Sequence, residues 1–287
     1  IRSHLVNAPV DRGLKPLVID DISDVASFFY VTLFRVIRDL TKPFRASNPT
    51  WLKRPKEEGE KISISLSELL NTVERMLSEG IASFERGSEH ADSRAETILT
   101  VCNSEFLKIE ENSIDLVLTS PPYCTRIDYA VATSAELALL GFQKKTDFAD
   151  LRDSLMGTTT VPSVTPSISP VLGSTCISLL EKIGAHSSVS SNTYYLKNHI
   201  HYFSSLQKSI AEIHRVLKPQ GIAAFVVQDS VYKDIHNDLP TIVAEMGQML
   251  GLTVFQRDDF SLGSSLSSIN SRSRRYKPKG FRPTESV

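Results

Sequence analysis

Across 287 residues the chain sets 32 Lys and Arg against 33 Asp and Glu, a net charge of −1, so binding to a polyanion has to rest on local basic patches rather than on a global field. Hydrophobic residues make up 41% and charged residues 23%, an ordinary globular balance in a chain long enough to bury a large core. Cys102, Cys124 and Cys176 are widely spaced, which excludes a disulfide framework and a CxxC zinc site; no apolar run approaches the ~20 residues of a membrane span and no signal peptide is visible, so the chain reads as cytoplasmic with no membrane contact. It begins with Ile1 rather than methionine and stops at Pro-Thr-Glu-Ser-Val, which reads as a strand just starting; a fragment of a longer or divided protein is expected.

Residues 1–96 read as a helical region. Within 24–40, Val25, Phe29, Leu33, Val36, Ile37 and Leu40 recur at helical spacing behind Ser23, a suitable cap. Residues 41–61 hold three prolines and many charges and read as a connector or exposed arm. A second helix is expected over 65–79, ending near Gly80, followed by a loop over 86–96. From residue 97 the pattern becomes strand, turn, strand, through TILTVCNSEFLKI and then NSIDLVLTS. The stretch 130–142, AVATSAELALLGF, reads as a helix closed by Gly141, and 157–175 as a long loop of Thr, Ser, Pro and Gly without periodicity. Helical spacing returns over 194–217 through Tyr202, Leu206, Ile210, Ile213 and Leu217. A turn at KPQG, a strand over 222–230, a helix over 239–251 and a strand over 252–260 follow. This βαβ-like succession predicts an α/β fold with helices on both faces of the sheet.

The most informative stretch is IDLVLTSPPYCTRIDY, 114–129. Ile114, Leu116, Val117 and Leu118 read as a buried strand of a parallel sheet, and Pro121 and Pro122 forbid its continuation. Ser120–Tyr123 are therefore expected to form a stiff loop at the strand's carboxyl end, the edge at which open α/β sheets bind ligands.

TSPPY after IDLVL resembles the catalytic motif of the S-adenosylmethionine-dependent DNA amino-methyltransferases, particularly the cytosine-N4 branch; the adenine-N6 branch more often has Asp or Asn where Ser120 stands. AEIHRVLKPQGIAAFVVQDS (211–230) resembles the family's late helix, Lys-Pro turn and next strand, and the segment from SRSRRYKP to ESV its closing stretch. The resemblance covers roughly 97–287. It implies a Rossmann-like class I methyltransferase sheet with 97–142 and 201–287 as catalytic core, and 143–200 as an insertion and possible target-recognition element. It further implies S-adenosylmethionine as cofactor, DNA as partner and a role in restriction-modification or a related system.

The residue types suit that reaction. An exocyclic base amine is a poor nucleophile because its lone pair is delocalised into the ring. Acceptors on its two hydrogens, the Ser120 hydroxyl and a carbonyl of the Pro121–Pro122 stretch, favour a tetrahedral nitrogen with an exposed lone pair. Tyr123 can stack on a base swung out of the duplex. By the same resemblance Asn103, Ser104 and Thr119 lie near the cofactor, although Asn-Ser after a strand is also an ordinary turn.

Arg126 and Tyr129 are candidates for DNA contact, against the plainer reading of a solvated arginine and a packed tyrosine. Arg272, Arg274, Arg275, Lys277, Lys279 and Arg282 put six positive charges within eleven residues, a phosphate-contacting strip or a solvated tail. Carbon-5 cytosine methyltransferases place their cysteine directly after a proline, whereas Tyr123 precedes Cys124 here, so Cys124 reads as a small half-buried residue. His199 and His201 are two apart on a helix and point to different faces, and no metal is expected.

One family feature is missing. No Gly-rich strand-to-helix turn, with the acidic residue expected on the next strand, occurs in the 287 residues. Such a loop is expected upstream of Ile1 or on a partner chain; the different-class alternative is a catalytically silent DNA-binding or scaffolding module.

Overall fold

The computed structural model describes residues 22–44, 53, 55–88, 96–124, 128–142, 145–158, 167–261 and 283–287. In chain order these form helices α1 (Asp24–Leu40) and α2 (Leu66–Ser88), strand β1 (Ile114–Thr119), helices α3 (Tyr129–Ala132), α4 (Ser134–Leu139), α5 (Lys145–Ser154), α6 (Ser174–Ala185) and α7 (Leu196–Val216), strands β2 (Leu217–Phe225), β3 (Val227–Gln228), β4 (Ser230–Tyr232) and β5 (Ile235–Asn237), helix α8 (Leu239–Met249), and strands β6 (Asp259–Ser261) and β7 (Thr284–Ser286). The chain divides into two units, 1–99 with 129–151 and 100–128 with 152–287. None of the helices among the described residues is long and apolar enough to cross a membrane.

In the first unit α1 starts where its cap predicts, with the Ser23 hydroxyl accepting the Ala26 N–H. It buries Ala26, Tyr30 and Val36, and Arg35 donates to the Met76 carbonyl at 3.3 Å and to Glu79 at 2.8 Å on α2. The expectation that α2 ends near Gly80 is corrected, since the helix continues to Ser88. Gly80 is a contact residue, not a stop: a Cβ there would sit 3.2 Å from Cζ of the Phe28 ring. The helix expected over 130–142 is two short ones. Thr133 interrupts it, with both its N–H and its hydroxyl donating to the Tyr129 carbonyl.

In the second unit α6, α7 and α8 pack around Leu180, Ile183, Phe203, Leu206, Ile210, Ile242 and Met246, all fully buried. Of the predicted stripe, Tyr202, Leu206 and Ile210 are buried on α7 and Ile213 is half-buried, whereas Leu217, also buried, lies past the helix end as the first residue of β2. β1 and β2 form a parallel pair, as expected of two strands separated by a largely helical crossover. Ile114 pairs with Leu217, but Leu116 pairs with Ile222, so the KPQG turn bulges out inside β2, with Gln220 at φ 68°. β7 is the middle strand of an antiparallel sheet ordered β3-β7-β6, and β4 and β5 form a hairpin.

Two expected strands are corrected. Residues 97–102 join no ladder among the described residues; the only pairing nearby is an isolated bridge between Asn103 and Phe106. Over 252–260 the ladder is limited to Asp259–Ser261, because β7 offers three positions, extended only by the paired backbone bonds of Asp258 and Val287. The described residues thus give a mixed α/β fold whose parallel sheet has two strands.

Candidate active site

The last bond of the parallel ladder joins the Val226 N–H to the Thr119 carbonyl at 2.9 Å. The prolines then turn the chain away from the carboxyl end of β1, as their missing donors require. Ser120 is exposed, whereas Thr119, Pro121, Pro122, Tyr123 and Cys124 are half-buried. Two side chains that sequence reasoning did not single out hold this loop. The phenol of Tyr202, on α7 and only 1% exposed, donates to the Pro122 carbonyl at 2.6 Å. The phenol of Tyr123 itself donates to Oε2 of Glu285 at 3.0 Å, and Glu285 sits mid-strand in β7.

Asn103 and Ser104 are tied down in the same unit. The Asn103 side-chain oxygen accepts the Glu105 N–H at 2.9 Å, the ordinary local turn, and the Ser104 and Ser209 hydroxyls share a hydrogen bond of 2.9 Å. Farther along, Glu212 accepts the Leu107 N–H at 2.8 Å and Arg215 donates to the Leu107 and Ile109 carbonyls. The Arg215 guanidinium, with the Leu107 N–H second, pulls the Glu212 carboxyl down to about 2. Tyr202 and Ser209 are seven residues apart, two turns along one stripe of α7 and separated by ~10.5 Å. One helix face therefore grips both the proline loop and the Asn103–Ser104 turn.

Tyr129 opens α3 in the first unit, and burial raises its phenol above the ordinary range. Arg126, Arg272, Arg274, Arg275 and Lys277 lie outside the described residues. Cys124 packs against the buried core, and burial pushes the Cys176 thiol far up, which leaves it inert. No group of three His, Cys, Asp or Glu among the described residues could hold a metal; His199 is bonded through Nδ1 to the Tyr195 carbonyl. A cavity of about 640 Å³, lined by Ser174, Lys182, Asp234 and His236 among others, includes none of the loop residues.

Sequence comparison finds partial matches to known proteins. The type II methyltransferase M.AvaI of Nostoc sp. is 28% identical over 174 residues, which cover 54% of this chain and 35% of that protein, and M.AvaI of Anabaena variabilis matches equally. M.BsoBI of Geobacillus stearothermophilus, also a type II methyltransferase, is 36% identical over 89 residues, 31% of this chain and 17% of that protein. The chain is similar to type II methyltransferases. It spans about a third of the length of the M.AvaI proteins. No protein-family model matches it, and no solved structure does.

Proposed function

We propose that this chain carries the catalytic wall of an S-adenosylmethionine-dependent DNA methyltransferase of a restriction-modification type, acting on an exocyclic amine, with cytosine N4 preferred to adenine N6. The observation that carries the reading is the Ser-Pro-Pro-Tyr loop leaving the carboxyl end of a parallel strand, pinned at Pro122 by Tyr202 and at Tyr123 by Glu285. Similarity to type II methyltransferases supports methylation of DNA as the general activity. The choice of cytosine rests on Ser120 standing at the head of the motif.

In this reading the exposed Ser120 hydroxyl and a proline carbonyl accept from the two hydrogens of the target amine. The second acceptor is a carbonyl of the Pro121–Pro122 stretch; that of Pro122 has one lone pair engaged by Tyr202, which leaves the Pro121 carbonyl the less encumbered of the two. Bound S-adenosylmethionine would supply the methyl group on a sulfonium. The chain's own part would be to hold the target nitrogen with its lone pair exposed and in line with that methyl group, and to leave a path past Ser120 by which one amine proton would reach water. Tyr123 stacks on the displaced base.

In this reading the Asn103–Ser104 turn and the proline loop, both held by α7, would form one side of a cofactor site. Parallel sheets occur with both faces covered. Here Leu116 and Leu118 are 62% and 73% exposed on one face of β1, and Ile222 of β2 is 45% exposed. That uncovered apolar face supports the reading in which further chain, upstream or from a partner, completes the sheet and brings the Gly-rich turn. In the same proposal residues 1–96 are a helical adjunct, 97–142 and 201–287 the catalytic core, and 143–200 a contributor to the choice of DNA sequence. Within that last stretch 143–144 and 159–166 lie outside the described residues, and α6 belongs to the core of the second unit.

The test is transfer of labelled methyl groups to DNA by Ser120→Ala and Tyr123→Ala in the intact protein. Each should lose on the order of 100-fold in turnover while the fold and most DNA affinity persist. Near-normal turnover in both would show that the site is assigned to the wrong residues, and absence of methyl transfer by the parent protein would favour the silent DNA-binding module.

A further inference from the structure

Glu285 lies 162 residues from its partner Tyr123 and has no role in the reaction as described so far. The strand that carries it is clamped from both sides. Val227 and Gln228 pair with Ser286 and Glu285 on one edge; Asp259, Phe260 and Ser261 pair with Ser286, Glu285 and Thr284 on the other. Asp229 adds a side-chain bond from the Thr284 N–H at 2.6 Å and donates its own N–H to the Thr284 carbonyl at 3.0 Å. The Glu285 backbone is therefore fixed, and its carboxylate meets Tyr123 from an anchored strand. Tyr123 is fixed at its other end, since the Pro122 carbonyl next to it is bonded to buried Tyr202.

A tyrosine with an anchored backbone and an anchored phenol has little torsional freedom left, and a hydrogen bond at the phenol oxygen lies near the ring plane and does not itself cover either face. The chemistry of the acceptor is also telling. A carboxylate near a nucleic-acid site repels phosphates, so affinity for DNA is not what it provides. We infer that Glu285 is a positioning residue that sets the plane of the Tyr123 ring before a base arrives, so that stacking does not first have to freeze the ring. This deepens the amine-methyltransfer reading and rests on it. The ordering cost falls on folding instead of on binding, which is the advantage of a preorganised site.

The experiment compares Glu285→Ala, Glu285→Gln, Tyr123→Phe and the Glu285→Ala/Tyr123→Phe double variant in the intact protein. Steady-state methyl transfer from tritiated S-adenosylmethionine to unmethylated genomic DNA is measured beside thermal melting. Glu285→Ala and Tyr123→Phe should each lower kcat by about 5–10-fold with KM for DNA and melting temperature little changed, and the double variant should be no worse than either single one. Glu285→Gln, whose amide oxygen still accepts from the phenol, should restore kcat to within about twofold of the parent and bind DNA as tightly or more so. An undiminished kcat in Glu285→Ala, or losses that multiply in the double variant, overturns the inference. Tyr123→Ala separates the two levels: if it loses turnover while Glu285→Ala does not, the inference alone fails. If Tyr123→Ala keeps turnover, the stacking reading falls and the inference with it.

Discussion

Removing one oxygen tests whether α7 holds the catalytic loop. Tyr202→Phe keeps the ring that packs edge-on against Phe203, 5.1 Å between centroids, and deletes the hydroxyl that donates to the Pro122 carbonyl at 2.6 Å. The site is nearly dry, with Tyr202 only 1% exposed and Pro122 half-buried, so the carbonyl loses a partner that water replaces poorly. Loss of such a bond costs about 1–2 kcal/mol. In a domain of this size that corresponds to a fall in melting temperature of roughly 2–8 °C. The effect on catalysis should exceed the effect on stability, because the freed loop carries Ser120 and Tyr123, and a misplacement of about 1 Å can cost on the order of 100-fold in rate. Thermal unfolding followed by circular dichroism and single-turnover methyl transfer measure the two effects. A variant that melts within about 1 °C of the parent and turns over normally would show that the bond is incidental and that the loop is held by other means.

Glu212 gives a pH signature with a definite sign. Its carboxyl is depressed from 4.5 to about 2 in the folded chain, so its contribution is complete above pH 4.5 and is lost as pH falls toward about 2; the protection of the Leu107 amide, its exchange rate relative to the unfolded chain at the same pH, should fall across that window and not above it. Arg152→Ala should destabilise the second unit by about 3 kcal/mol, since it takes a guanidinium from Asp128, which is 4% exposed and accepts from Arg152 Nε at 2.9 Å; Asp128→Asn added to it should recover part of the loss in a denaturant titration. Calorimetric titration of these 287 residues with S-adenosylmethionine should give weak binding that strengthens when the completing chain is added, because a ligand of this size needs most of its surface buried. Tight binding by the 287 residues alone would mean that residues 1–96 carry a cofactor loop of their own.

What was legible in the sequence was what local chemistry decides. Ser23 before a 3.6-residue apolar period located α1 to the residue, and the apolar run from Ile114 to Leu118 ending in two prolines located β1 and its loop. Gly80 misled because the weak helix propensity of glycine is a local fact, whereas the Phe28 ring that lies against it comes from another helix. Residues 97–102 have strand composition, but a strand exists only where a neighbour takes up its backbone groups. The period of α7 marked Tyr202 as buried without showing what its hydroxyl meets 80 residues away. Pro-Thr-Glu-Ser-Val read as a strand just starting, and β7 forms there, but nothing in the sequence marked Glu285 within it. Its meaning comes from ladders to β3 and β6, which no spacing rule discloses.

The stripe on α7 has an implication for which changes this chain can absorb. Tyr202 and Ser209 act together because seven residues make two turns, so the interval between them behaves as a ruler. Substitutions inside it alter packing by degrees. Deleting or inserting a single residue swings Ser209 by about 100° around the axis and carries Glu212 and Arg215 with it, uncoupling the turn at Ser104 from the loop at Pro122 in one step. Variation in this helix is therefore expected as exchanges of side chains at constant length, with insertions and deletions displaced beyond its ends.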